Sequence, residues 1–114
     1  MRPVGLGDLA AAAGALMAAP ERRRAALMQT MLLEAERADA FRAASGRLHP
    51  GLGNGTLMAA ALAHPRAARA GPDDKAWLGC LAQAVAAVIA HRSAGEVVVR
   101  LVGDERFELP TSSM

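Results

Sequence analysis

The sequence predicts an all-α fold, a small helical bundle or helical hairpin assembly, and three observations predict it. Hydrophobic residues make up 53% of the chain but aromatic ones only 3%, namely Phe41, Trp77 and Phe107, so much of the apolar content is alanine. Alanine is the best helix former. Apolar residues recur with the 3.6-residue period of an amphipathic helix over the long segments. Proline and a cluster of glycines at Gly51, Gly53 and Gly55 punctuate those segments. Helices of this kind must bury their stripes on one another. The length, 114 residues, fits one domain with a modest core. Alanine contacts bury little area, at ~25 cal/mol per Å². Marginal stability as a monomer, or support from a partner, follows.

Met1–Gly7 reads as irregular. Asp8 stands where an N-cap belongs, before Leu9 and a run of alanines. Leu9, Ala12, Ala13, Leu16 and Met17 share one face of this first helix, and Pro20 ends it. Pro20 also suits the first position of the next helix. That helix is expected from Pro20 to Ala44. Its stripe is Leu27, Met28, Met31, Leu32, Ala35, Ala38 and Phe41. Glu21 in its first turn suits the helix dipole, whereas Arg22, Arg23 and Arg24 oppose it. Ser45-Gly46 closes the helix, with Gly46 as the residue after the cap.

His49-Pro50-Gly51-Leu52-Gly53-Asn54-Gly55-Thr56 is the least helical stretch. Glycine accepts positive φ and Asn tolerates it. The stretch therefore reads as a specified structural loop built by His49, Pro50, Gly51, Gly53, Asn54, Gly55 and Thr56, with Gly53 or Gly55 at φ > 0. A short helix follows over Thr56–Ala63, and His64-Pro65 ends it. Arg66–Gly71 is a basic connector. Pro72-Asp73-Asp74 opens the last long helix, whose stripe is Trp77, Leu78, Leu81, Val85, Val88 and Ile89. It is expected to end near Arg92-Ser93, with Gly95 closing it.

Glu96–Val102 has a different texture. Val97-Val98-Val99 and Leu101-Val102 favour a strand, but no second strand candidate exists to pair with it. The expectation is a disordered or extended C-terminal tail over 94–114, after a helical domain at 1–93. The ending Arg106-Phe107-Glu108-Leu109-Pro110-Thr111-Ser112 resembles endings that recur on unrelated bacterial chains. Those endings read as translation through the reverse strand of a transfer-RNA gene after loss of a stop codon. In that reading the tail is an accidental extension; the competing reading is an ordinary polar tail.

Composition narrows the function classes. Net charge is +2. Without residues 103–114, which hold three acids and one arginine, twelve basic residues face eight acidic ones, or +4. That is well short of a strong nucleic-acid footprint. The single cysteine, Cys80, forms no internal disulfide and suits a reducing compartment. Residues 9–19 are apolar but too short to span a bilayer, and Asp8 directly before them argues against a signal peptide. A cytoplasmic protein without a membrane partner is expected.

No strong catalytic or metal signature is present. His49, His64 and His91 lack the i, i+4 spacing of a helical metal site. No metal or cofactor is expected, and the bland reading is histidines bonded to backbone near helix ends. Cys80 lies beside the last helix's stripe, where burial is the better account than a reactive thiol. Gly51–Thr56 before a helix superficially resembles a phosphate loop, but the P-loop lysine and hydroxyl are missing. Arg22, Arg23, Arg24, Arg47, Arg66 and Arg69 are the candidates for contact with DNA or a partner. A solvated face is the competing reading, since no aromatic residues interleave for base stacking.

Gly7-Asp8-Leu9, Ala11-Ala12-Ala13, Leu16 and Pro20, then His49 through Ala61, resemble a family of short uncharacterised bacterial helical proteins. Trp77–Arg92 is similar to that family's final helix, so the resemblance covers about residues 1–93. An aromatic residue often stands in that family where Leu52 stands here. Some members resemble small-terminase-like proteins of phage-like gene transfer agents. That resemblance implies a DNA-packaging adaptor: a helical homo-oligomer that joins DNA to the large packaging motor subunit. Two readings are carried forward. One is a non-enzymatic interaction protein of this kind, self-associating through a stripe such as Leu27–Phe41. The other is a small enzyme or ligand-binding domain that uses the His49–Thr56 loop and His64.

Overall fold

The computed structural model describes residues 1–67 and 71–112, with side chains described through residue 95. Four helices follow one another: α1 (Leu6–Ala18), α2 (Glu21–Ser45), α3 (Leu57–Leu62) and α4 (Lys75–Ser112). No strand occurs among the described residues; one isolated antiparallel bridge joins His49 and Gly53. The fold is all-α.

Helix α1 is the hub. It packs against each of the other three helices, most extensively against α4 and α3. Its sequence explains the position: a helix that is apolar nearly all round belongs inside. Ala12, Ala13 and Leu16 are fully buried and Ala15 nearly so. Around them close Met28, Met31, Leu32 and Ala35 from α2, Leu57, Ala60 and Ala61 from α3, and Trp77, Cys80, Ala84 and Val88 from α4.

The helix ends follow local chemistry, with shifts from the sequence expectation. Helix α1 begins at Leu6, two residues before Asp8. Asp8 is therefore its third residue, and the carboxylate reaches back to accept from Gly5 N at 2.8 Å. Pro20 sits just outside α2 with an extended ψ of 143°, as a cap rather than a first residue. Gly46 adopts φ +71° and ends α2. Helix α3 is capped by Thr56, whose Oγ1 accepts from Ala59 N at 3.1 Å. Asp74, not Pro72, caps α4: its Oδ1 accepts from Ala76 N at 2.8 Å.

Two expectations about α4 are corrected. The helix does not end near Arg92-Ser93 or at Gly95; its backbone stays helical through Ser112, and Glu96–Val102 continues it instead of forming a strand. Elongating an existing helix adds one hydrogen bond per residue fixed. The glycine and valine penalties, ~1 kcal/mol or less each, are smaller than the loss of ladder bonds for a strand with no neighbour. The buried face of α4 is also rotated. Trp77 and Val88 are buried as expected, but Leu78, Val85 and Ile89 are 44%, 37% and 60% exposed, and Cys80 and Ala84 take the inner positions. Facing an alanine-surfaced α1, the small side chains permit the closer approach.

The α2 stripe is buried against its own chain from Met28 to Ala38. It is therefore not available for self-association. Phe41, at its end, is 37% exposed and meets the His49 ring edge-on at 5.0 Å.

Trp77→Ala should cost about 3–5 kcal/mol, the usual range for removing a buried aromatic. Phe41→Ala should cost clearly less, because that ring is partly solvated already. Denaturant titration of both variants checks the ranking. A chain ending at Ser93 retains every residue that is buried among those described, and its melting temperature should fall by less than the ~4–8 °C that a loss of 1 kcal/mol brings.

Candidate functional site

The His49–Thr56 loop uses its polar groups internally. The His49 backbone exchanges both hydrogen bonds with Gly53, at 3.1 and 3.3 Å. Its ring Nδ1 accepts from Gly51 N and Leu52 N, each at 3.0 Å. Asn54 Oδ1 accepts from Thr56 N at 3.1 Å and from Thr56 Oγ1 at 2.7 Å. Thr56 in turn caps α3. The positive φ expected at Gly53 or Gly55 is found at both, +91° and +90°. Close approach adds to the need for glycine: a Cβ on Gly53 would lie 2.7 Å from Ala59 Cβ, and one on Gly55 2.8 Å from Asp39 Cα.

Asp8 joins this loop to α1. While Oδ2 accepts from Gly5 N, Oδ1 accepts from Met58 N at 2.9 Å. One carboxylate thus satisfies orphan donors at the starts of two helices, where both dipoles favour negative charge. Arg2 N donates to Gly55 O at 2.9 Å and ties the leading segment to the same loop.

A line of acids on α2 receives the remaining elements. Glu34 Oε1 lies 2.7 Å from His64 Nε2, and Glu36 Oε2 lies 3.4 Å from His91 Nε2. Of the three histidines, only His49 follows the expectation of bonding backbone; the other two pair with carboxylates. The amino group of Met1 contacts Glu36, and it lies 3.2 Å from Asp39 Oδ2. The Arg42 guanidinium, 3.1 Å from Asp39 Oδ1, and then the Met1 amino group hold the Asp39 carboxyl below its ordinary value of 3.8. Among the described residues, no three of His, Cys, Asp and Glu cluster as metal ligands would.

The candidate arginines do not form one patch. Arg22 and Arg23 are exposed at the start of α2. Arg24 turns away: its Nε donates to Leu16 O at 2.8 Å and Ala19 O at 3.1 Å, capping the end of α1. Its opposition to the dipole of α2 is thus offset by service to α1. Arg47 follows α2 at the far end of that 25-residue helix, about 36 Å along the axis at 1.5 Å per residue. Arg66 lies beside α1, where Ala67 N donates to Gly14 O at 3.1 Å. Arg69 lies outside the described residues. Arg66 and His64 border a cleft of about 560 Å³ floored by Ala10, Gly14, Leu62 and Trp77.

A family model described as Domain of unknown function (DUF7742) matches residues 2–88. The chain belongs to the DUF7742 family. The matched segment contains α1, α2, the glycine loop, α3 and the core-facing part of α4, so the DUF7742 domain coincides with the packed body of the molecule. No curated protein and no solved structure matches the chain. No helix among the described residues of this DUF7742 protein is long and apolar enough to cross a membrane.

The outer side of α4 differs from the stripe expected of it. From Ala76 to Ala90 α4 carries no charged residue, and among the described residues Leu78, Val85 and Ile89 on one side of it are exposed. The signal was present in the sequence as a helix apolar on more than one side, which marks more than one contact.

Gly51 has no atom within 4 Å of an added Cβ except the His49 ring at 4.0 Å. Gly51→Ala should therefore be nearly neutral, while Gly55→Ala should cost more than ~2 kcal/mol through φ strain and collision. Thermal melts of the two variants check this contrast. For Asp39, whose folded pKa is depressed, the stabilising contribution is present above the ordinary 3.8 and is lost as pH falls through the lowered folded value. Asp39→Asn should reduce the acid sensitivity of folding in that window and leave its slope at neutral pH unchanged, as read from melting temperature against pH.

Proposed function

We propose that this DUF7742 protein is a non-enzymatic interaction protein. The observation that carries the reading is the outer face of α4, where Leu78, Val85 and Ile89 are 44%, 37% and 60% exposed on a helix without charge between Lys75 and Arg92. Exposed apolar side chains gathered on one charge-free face mark contact surfaces. The loop that offered the alternative, a small enzyme or ligand-binding domain, has the polar groups of His49, Asn54 and Thr56 engaged in holding its own shape.

Within that class we place the protein as a small-terminase-like DNA-packaging adaptor of a phage-like gene transfer agent, forming a homo-oligomer that meets DNA and a large packaging motor subunit. The support is the sequence resemblance together with Arg22 and Arg23, exposed at the α2 start. Arg24 is reserved for α1 and is a poor phosphate ligand in this fold.

A ligand-binding reading keeps one observation in its favour, the cleft beside His64, Arg66 and Trp77. Trp77 is the single tryptophan of the chain, so its emission reports occupancy of that cleft. Small anionic ligands that quench or shift it saturably would favour this reading over the adaptor.

If Arg22 and Arg23 contact phosphates, DNA binding should be independent of sequence and weaken with salt. Each phosphate contributes a slope of about −0.9 in log K against log salt. Replacing both arginines with alanine should flatten the slope by up to roughly 1.8 and leave stability unchanged or slightly improved. Arg24→Ala should instead lower the melting temperature. Absence of DNA retardation at low salt removes the direct DNA role, and failure to retain the packaging motor in a pull-down removes the adaptor role.

A further inference from the structure

Helix α2 sorts its charges by face. Three of its acids are spent inside the molecule: Glu34 on His64 at 2.7 Å, Glu36 on the Met1 amino group and on His91 at 3.4 Å, and Asp39 on Arg42 at 3.1 Å. Two of its arginines are spent as well, Arg24 on the end of α1 and Arg42 on Asp39. The opposite side keeps what is left. Arg22, Ala26, Gln29, Leu33, Arg37 and Ala40 are all exposed, and their three- and four-residue spacing sets them in one line along the helix. Arg23 and Thr30, exposed too, stand beside it. No acid lies on the line. Among the described residues, Arg22, Arg23 and Arg37 form no ion pair. The net charge of +2 understates this face, because acids that lower it are paired within the fold.

We propose that this face of α2 lies along the backbone of double-stranded DNA, with Arg37 as a phosphate contact in line with Arg22 and Arg23. The inference rests on the reading of the protein as an adaptor that meets DNA, and deepens it by giving the contact surface and its direction. Phosphates are held by arginine and by neutral donors such as glutamine and threonine, and Gln29 and Thr30 stand between the arginines. Arg22 and Arg37 lie about 22 Å apart along the helix axis. A duplex offers one negative charge per about 1.7 Å of its own axis, so both ends of the face find phosphates at once. The face suits a protein partner poorly. Such contacts centre on large buried anchors, and Leu33, 61% exposed, is the one large apolar side chain on the line. Nor does α2 suit a groove. Glu34 and Glu36, one residue after Leu33 and one before Arg37, fall on opposite edges of the line. A helix is about as wide as the major groove, so insertion would press both carboxylates toward the phosphates. Contact along the backbone keeps them aside, and it reads no sequence.

Retardation of a mixed-sequence duplex by the full chain, followed against salt, tests the placement. Arg37→Ala should weaken binding and flatten the slope of log K against log salt by about 0.9. Its far-UV helicity should be unchanged, since alanine is the better helix former. Arg37→Lys should restore most of the slope. Leu33→Lys should do the reverse of the alanine variant: a cation added at the middle of the face steepens the slope by about 0.9. Leu6→Lys adds the same charge at an exposed position on α1 and should steepen it far less. Duplexes of unrelated sequence should bind alike, and polyglutamate at equal charge should compete weakly. A wild-type slope in Arg37→Ala, a Leu33→Lys slope no steeper than that of Leu6→Lys, or a strong sequence preference overturns the proposal and leaves the DNA role of Arg22 and Arg23 standing. Polyglutamate competing as well as DNA overturns it in favour of an acidic protein partner. If the unaltered chain retards no duplex at low salt, this proposal and the direct DNA role fail together, and motor capture alone decides the adaptor reading.

Discussion

The arrangement depends on one carboxylate. Asp8 accepts from Gly5 N and, fifty residues on, from Met58 N, and so fixes the start of α3 on the start of α1. Each helix of a short bundle leaves orphan N–H groups that water or a side chain must satisfy. Here Asp8 takes Met58 N and Thr56 takes Ala59 N, so two successive orphans of α3 are answered from two different elements. A six-residue helix has little stability of its own. Its position is set by these caps and by the burial of Leu57, Ala60 and Ala61.

From that junction the glycine loop acquires its composition. Gly55 passes against Asp39 on α2, Gly53 passes against Ala59 on α3, and both need positive φ. The loop is thus wedged between α2 and α3, and its histidine, asparagine and threonine are engaged within the loop and at the start of α3. A stretch that reads in sequence as a phosphate cradle is in the structure a folded spacer. Leu78, Val85 and Ile89, the exposed apolar residues on which the proposed interaction role rests, lie elsewhere, on α4.

The sequence made some of this legible and concealed the rest, for identifiable reasons. Helices α1, α2 and α3 could be read because proline, Gly46 and Thr56 mark their ends within one or two residues. The need for positive φ at Gly53 and Gly55 followed from residue type. The phase of α4 did not: alanine, cysteine and valine recur on all its faces, so periodicity alone could not decide that Cys80 and Ala84 face inward and Val85 outward. The role of Arg24 was hidden because its partners are carbonyls of another helix. The double role of Asp8 was hidden for the same reason, since no local pattern announces a bond across fifty residues. The extension of α4 past Gly95 ran against local propensity and followed from the helix already present before it.

Amide hydrogen exchange in the Asp8→Ala variant tests the central role of this junction most directly. The account predicts that Gly5 and Met58 lose protection first, under conditions where the α2 amides of Met31 and Leu32 remain protected. It also predicts a loss of overall stability of about 1–3 kcal/mol, the worth of one to two helix caps. Unchanged protection at Met58 with wild-type stability would contradict it, and would mean that α3 is held by its apolar contacts alone.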